Sequence, residues 1–346
     1  MQATGGNAPH PELLDATRAL AAAGAWADVR RALAEPSAAE HVAGSPALVN
    51  LLAEAHMRTG NFRDAQTWLA AALPQLTRAG DRPALRRALN LAGAAHLALG
   101  ELDDAERIFG RTLEIGQADG DDLLVARATN NLGTIANIRG QRSEALAMYQ
   151  LAIPAYQRLG NASGIAESYH NMAITLRDQG RLAAADECEV RAIEFAREAS
   201  NARMVAVARL GRAELSMYRG DAALAGASAR RVALDFAALP DPAGEADARR
   251  LTALASLAAG DVADARTELE RAVGLARESG AALAEAEALR ARALLFASIG
   301  ASGDARSDAL AAATIYDRIG AAEELAAVRE WLARVDAASD RDRGGR

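Results

Sequence analysis

Asn130 to Ala152, reading NNLGTIANIRGQRSEALAMYQLA, decides the fold, because its pattern returns along nearly all of the 346 residues. Gly140 in this stretch is one of seven glycines, Gly60, Gly100, Gly140, Gly180, Gly220, Gly260 and Gly300, spaced forty residues apart. A second series lies midway between them: Gly80, Gly120, Gly160, Ser200, Pro240, Gly280 and Gly320. Five residues after each first-series glycine stands an alanine: Ala65, Ala105, Ala145, Ala185, Ala225, Ala265 and Ala305. Seven residues before it the side chain is again tiny: Ala53, Gly93, Gly133, Ala173, Ala213, Ala253 and Ala293. Small residues held at fixed distances on both sides of a turn describe two helices that cross closely, since bulk at the crossing would hold them apart. Each unit is a helical hairpin, helix A before the glycine and helix B after it.

A period of this length marks an array of stacked units, so the chain reads as one elongated domain rather than two or three ordinary ones. Hydrophobic residues make up 51% and aromatics only 4%, which suits a core of alanine and leucine at helix crossings. The formal net charge of −7 argues against a surface built for nucleic-acid phosphates. All 39 basic residues are arginine. The absence of lysine removes the residue required by P-loop, Schiff-base and kinase chemistry. The single cysteine, Cys188, excludes an internal disulfide or a cysteine-rich zinc site and reads as a buried, inert thiol. The N-terminus, MQATGGNAPHPE, has no basic start or apolar core, and no charge-free apolar run approaches the roughly 18 residues of a membrane span. The expectation is a cytoplasmic protein with no membrane association.

Residues 1–10 read as a disordered N-terminus and 11–45 as a shortened hairpin around Gly24, closed by a linker from Glu35 to Ser45. Seven repeats fill 46–320, a capping helix occupies 321–336, and 337–346 reads as a disordered tail. In the second unit, helix A is expected at about Pro83 to Leu99, stopped by Gly100, with Glu101, Asp103 and Asp104 favouring the dipole at the start of helix B. Leu73, Leu113, Ile153, Ile193, Ala233, Val273 and Ala313, thirteen residues past each turn glycine, mark the buried side of helix B. Two places depart from the pattern. Unit five has Gly226 inside helix B and ends in Leu239-Pro-Asp-Pro-Ala-Gly244, where a bend or joint is expected around Pro240 to Gly244. Unit four has Glu189 where its neighbours have Phe109, Tyr149 and Leu269.

The order small residue, Gly, Ala, aromatic or Leu, Ala, as in Gly133, Gly140, Ala145, Tyr149 and Ala152 and again in Gly93, Gly100, Ala105 and Phe109, resembles the tetratricopeptide repeat family. The resemblance covers roughly residues 11–335. The period is longer than the family's usual one, as in the long-repeat branch of kinesin light chains, mitotic-spindle adaptors and bacterial peptide-sensing regulators. It implies an all-α, right-handed α-solenoid of antiparallel hairpins, in which the first helices line a concave groove for an extended peptide or a partner helix.

If helix A lines the groove, its exposed stripe lies thirteen, ten, six and three residues before each turn glycine, a spacing that keeps to one helical face. The ten-before series reads Asn50, Asn90, Asn130, His170, Leu210, Arg250 and Arg290, and the thirteen-before series contains Arg87 and Arg127. Asparagine carries both a donor and an acceptor, so a ladder of them can pair with an extended backbone, while arginine grips carboxylates. The expected groove residues are Asn50, Arg87, Asn90, Arg127, Asn130, Asn137, His170 and Arg177. The competing reading leaves some asparagines merely solvated and others bonded to loops, and Asn131 and Asn171 are expected to be structural. In later units Met217, Arg250, Leu254 and Arg290 form a secondary groove, or pack against the next helix A. His56 and His96 lie on the packing stripe with no carboxylate or cysteine expected to complete a metal set. The chain holds no G-x-S-x-G, H-E-x-x-H or EF-hand pattern.

These readings converge on a non-enzymatic scaffold or adaptor that needs no cofactor and no metal and takes a protein or peptide ligand. Self-association is compatible with them. A peptide sensor whose superhelix changes shape on binding is the alternative, and an RNA-binding array is disfavoured by the acidic balance, the missing lysine and the few aromatics.

Overall fold

The structure, a computed structural model, describes residues 11–239 and 241–344. Among these residues there are eighteen helices and no strand. Three short helices come first: α1 (Pro11–Ala22), α2 (Trp26–Ala34) and α3 (Ala39–Gly44). The A helices of the repeats follow as α4 (Pro46–Arg58), α6 (Arg82–Ala98), α8 (Asp122–Ile138), α10 (Ala162–Asp178), α12 (Ala202–Tyr218), α14 (Pro242–Ala258) and α16 (Ala282–Ser298). Between them run the B helices α5 (Phe62–Ala79), α7 (Leu102–Asp119), α9 (Arg142–Arg158), α11 (Leu182–Glu198), α13 (Ala222–Ala238), α15 (Val262–Ser279) and α17 (Ser302–Ile319), and α18 (Ala322–Gly344) closes the chain. Consecutive helices pack as antiparallel pairs, and each A helix also touches the next A helix. The result is a right-handed α-solenoid.

The small positions lie at the helix crossings. Every alanine five residues past a turn glycine is 0% exposed. Where the seven-before residue is glycine, an aromatic ring from helix B fills the space: a Cβ on Gly93 would lie 2.6 Å from the Phe109 ring, and one on Gly133 would lie 2.8 Å from Tyr149. The contact between helix B and the following helix A uses the same size matching with the partners exchanged. Gly116 on α7 accommodates Leu124 and Val125 on α8, whereas Tyr156 on α9 covers Gly164 on α10 and Phe236 on α13 covers Gly244 on α14. One large and one small residue meet at each of these crossings, so the volume is conserved while the identities trade places.

Turn chemistry sets the helix ends. The first-series glycines all have positive φ, and in the second series Ser200 takes that conformation at φ 52°, the one non-glycine to do so among the described residues. The residue that follows caps the next A helix: Asp81 Oδ1 accepts from Ala84 N at 3.1 Å, and Asp121, Asn161, Asn201 and Asp241 make the same bond at 3.0 Å.

Two boundaries differ from those expected. The linker after the first hairpin contains α3, six residues long, whose Val42 is buried in the N-terminal core. The last helix continues through Gly344 instead of stopping at 336, because no glycine or proline occurs between 337 and 343 to break it. The proposed joint includes Pro240, which lies outside the described residues. Its neighbour Gly226 is explained by packing, since a Cβ there would sit 2.9 Å from that of Ala255.

Candidate functional site

A cavity of about 730 Å³ runs inside the solenoid. The expected stripe of helix A forms much of its wall. His170, Ile174 and Arg177 come from α10, Leu210, Glu214 and Met217 from α12, Asp247, Arg250 and Leu254 from α14, and Glu287 and Arg290 from α16. Phe62, Leu97, Thr134 and Ile138 reach it from the first three units.

The two expected groups of groove residues fare differently. His170, Arg177, Met217, Arg250, Leu254 and Arg290 all line the cavity. Asn50, Arg87, Asn90, Arg127, Asn130 and Asn137 do not. Asn50 is only 2% exposed and its Nδ2 donates to Ala84 O at 3.0 Å. Asn130 is 4% exposed and accepts from Ser168 Oγ at 2.9 Å, and Asn137 Oδ1 accepts from Thr175 Oγ1 at 2.8 Å. These three asparagines tie one A helix to the next, which corrects their reading as a peptide clamp. The physical reason is the place of the unit along the solenoid: ten residues before the turn glycine, His170, Leu210, Arg250 and Arg290 of the later units line the cavity, while Asn50, Asn90 and Asn130 of the first three do not. Asn131, read as the structural member of its pair, is the more exposed. Asn171 donates to Thr134 Oγ1 at 3.4 Å. Arg87 pairs with Glu54, and Arg127 is exposed near Glu167.

The wall carries alternating charges that cross four A helices. Arg177 and Arg250 both donate to Glu214, the second at 3.0 Å, and Arg250 Nη2 also lies 3.0 Å from Glu287 Oε2. Burial alone would raise the Glu214 carboxyl, but Arg177 and Arg250 more than offset it and hold it below the ordinary value. Asp247 is less well served. Its carboxylate lies 3.8 Å from Arg250 Nε, and 37% of the side chain remains open to the lumen. Protein nevertheless surrounds that lumen, and desolvation, aided by Glu287 and Glu214, pushes Asp247 up to about 7 against the pull of Arg250. The folded chain therefore binds this proton more tightly than the unfolded chain, and stability falls as pH rises from 3.8 through about 7. Asp247→Asn should be stabilising, with a gain in melting temperature that is absent below pH 3.8 and complete above about 7. A pH-independent difference between the two proteins would contradict this account.

Unit four explains its own irregularity. Glu189, 1% exposed, lies where other units place an aromatic ring, and its two carboxylate oxygens are 3.0 and 3.1 Å from His170 Nδ1. Gly211 makes the room, since any Cβ there would collide with the Glu189 carboxylate. Burial opposes the charged imidazole of His170, but Glu189 outweighs it and moves the group upward. Burial raises Glu189 as well, and His170 offsets only part of that. Cys188 beside it is buried, with its thiol pushed up to about 11 by desolvation.

The expectation that no carboxylate completes a set with His96 is corrected. Glu101 and Asp104 place oxygens within 4.8 Å of its ring nitrogen and of one another, a set able in principle to hold a cation. The group is already internally bonded: His96 Nδ1 is 2.7 Å from Glu101 Oε2, and Asp104 accepts from Arg107 at 2.7 Å. It also crowds the start of α7, where the helix dipole disfavours added positive charge. Among the described residues no helix is long and apolar enough to cross a membrane.

The hairpin architecture and this lined lumen define a class, that of helical-repeat proteins with an internal channel. The tetratricopeptide repeat family's model matches residues 45–118 and 124–198, so this part of the solenoid is built of tetratricopeptide repeats. No curated protein matches in sequence. Among solved structures, the chain is similar to a Rap protein complexed with competence and sporulation factor, at 13% identity and a TM-score of 0.61 over 95% of this chain and 98% of that one. It is also similar to the Cut9–Hcn1 hetero-tetramer of the APC/C, at 14% identity and a TM-score of 0.60, covering 91% of this chain and 55% of that one. The apo form of RapI matches at 11% identity and a TM-score of 0.57, over 79% and 98% respectively. At these identities the likeness is one of fold.

Proposed function

We propose that the chain is a scaffold or adaptor that binds an extended segment of another protein, or a peptide, inside the channel. The observation that carries this reading is the cavity itself, whose volume of about 730 Å³ falls within the range of ligand pockets. Its wall combines two kinds of contact. Ile174, Val207, Met217, Leu254 and Leu283 offer apolar surface for side-chain anchors, while Asp247 and Arg290 stand open for polar ends. The remaining lumen charges are committed to one another, so they hold the wall in shape rather than waiting for a ligand. The tetratricopeptide repeats support a protein-interaction role, and the Rap neighbour complexed with competence and sporulation factor supports a ligand-bound use of this architecture.

The test is affinity capture with mass spectrometry from the native cell extract, run beside Leu254→Trp, which fills the channel, and Arg87→Glu/Arg127→Glu, which alters the stripe outside it. A partner held by the native chain and by the arginine variant but lost with Leu254→Trp supports the channel. Loss in the arginine variant together with retention in Leu254→Trp would move binding to the N-terminal units. A second reading, a sensor whose shape responds to its ligand, is favoured by a specific feature: the channel wall draws residues from both ends of the chain.

A further inference from the structure

Repeats in a solenoid ordinarily touch only their neighbours. Here the turns between helices A and B of the first three units rest on the turns between helices B and A of the last three. A Cβ on Gly60 would lie 3.0 Å from Pro242 Cγ and 3.2 Å from Ser279 Cβ. Phe62, the next helix start, packs with Ala246, Leu275 and Ala281. One repeat further on, Gly100 faces Ile319 so closely that any side chain at that position would collide with it, and Ala282 is close by. At the third turn a Cβ on Gly140 would lie 2.7 Å from Glu323 Oε1, Arg142 grips both oxygens of the same Glu323, and Ile138 packs into the C-terminal core. Each step of one repeat on the first bank is matched by one repeat on the second. The solenoid is thereby closed along a seam.

The seam and the channel share residues. Phe62, Leu97 and Ile138 on one bank and Ala243, Ala281 and Ala284 on the other belong to the channel wall, so the cavity is complete only while the banks meet. We infer that this seam is a gate: it opens to admit a ligand, and a ligand that touches both banks holds it shut. The second half of that statement rests on the reading of the channel as a binding site. That the seam opens at all does not. The composition of the seam suits opening. It buries small and medium apolar side chains and is fastened at its outer edge by the Arg142–Glu323 pair, whose Arg142 and Glu323 side chains are 26% and 45% exposed. Ligand contact with both banks makes closure and binding thermodynamically linked, so a change that lowers the closed fraction weakens retention of the ligand in proportion to that fraction.

The gate can be tested without a ligand. In a Cys188→Ala background, Ile174→Cys places a thiol on the channel wall, and its reaction with a bulky fluorescein maleimide reads passage into the lumen. Methyl methanethiosulfonate, which is small, serves as the control for local reactivity. Arg142→Glu and Glu323→Arg, each alone, set like charges across the seam and should speed the bulky reagent about tenfold, while the charge-swapped double variant Arg142→Glu/Glu323→Arg returns the rate to that of the native pair. The small reagent should react equally in all four. Small-angle scattering should show a larger radius of gyration for both single variants and recovery in the swap. Equal bulky-reagent rates in all four proteins would overturn the gate and make the ends of the channel the route of entry. Because neither readout requires a bound partner, a failed capture experiment and a failed gate remain separate results.

Discussion

Replacing Arg250 by methionine should destabilise the protein by about 3–5 kcal/mol, the usual cost of removing one partner from a buried charge cluster. Arg250 is 9% exposed and is the cation shared by Glu214, Glu287 and Asp247 from three successive A helices. Its removal leaves Arg177 on Glu214 but takes away the guanidinium that Glu287 and Asp247 share. The carboxylates would then rise in pKa, so the folded variant binds protons that the unfolded chain releases, and its deficit should grow as pH rises and shrink toward pH 4. Denaturant melts at two pH values measure this. Adding Glu287→Gln and Asp247→Asn to Arg250→Met should recover much of the loss, because the penalty comes from orphaned charges and not from missing volume. If the triple variant is as unstable as the single one, packing of the arginine stem carries the effect and the electrostatic account of the wall fails.

The same cluster shows which part of the site was legible. The 3-4-3 spacing before each turn glycine marks one face of helix A, since periodicity is a local property of one helix, and in α10, α12, α14 and α16 residues of that face line the cavity. Which units have their stripe on the cavity was not legible, because it depends on contacts between residues nearly two hundred positions apart, such as Gly140 with Glu323. Asn50, Asn90 and Asn130 occupy the predicted register, but ten residues before the turn glycine only the later units reach the cavity. The ties that Asn130 and Asn137 make between A helices could have been suspected from hydroxyl residues thirty-eight positions on, Ser168 and Thr175. Glu189 was visible as an anomaly, and its partner His170 lies nineteen residues earlier, close to the spacing that brings helix A and helix B residues together in every unit. What made the pair recognisable was present too: Gly211 breaks the pattern of larger residues at its position, and only the three changes taken together describe a buried carboxylate with room and a partner.

The fold was legible for a different reason. Seven copies of one hairpin average out local irregularities, and the crossings leave their record in residue size, which a sequence displays directly. That record supports the second large effect. Tyr156→Ala should cost about 3–5 kcal/mol, since it removes a ring that is 1% exposed between α9 and α10 and leaves a cavity beside Gly164. Gly164→Leu alone should also destabilise, by about 1–3 kcal/mol, because its side chain would enter the volume that the ring occupies. Combined, the two changes reproduce the arrangement one repeat earlier, where Gly116 stands opposite Leu124. The double variant should therefore be more stable than either single one, with a coupling energy of at least about 1 kcal/mol measured in a denaturant double-mutant cycle. Each substitution is disruptive on its own backbone, so recovery cannot come from local helix propensity, which favours leucine over glycine at position 164 with or without the ring. Additive losses would mean that the hairpins differ in backbone spacing from repeat to repeat. Recovery would mean that the repeats share one backbone geometry and that selection has filled it from either side.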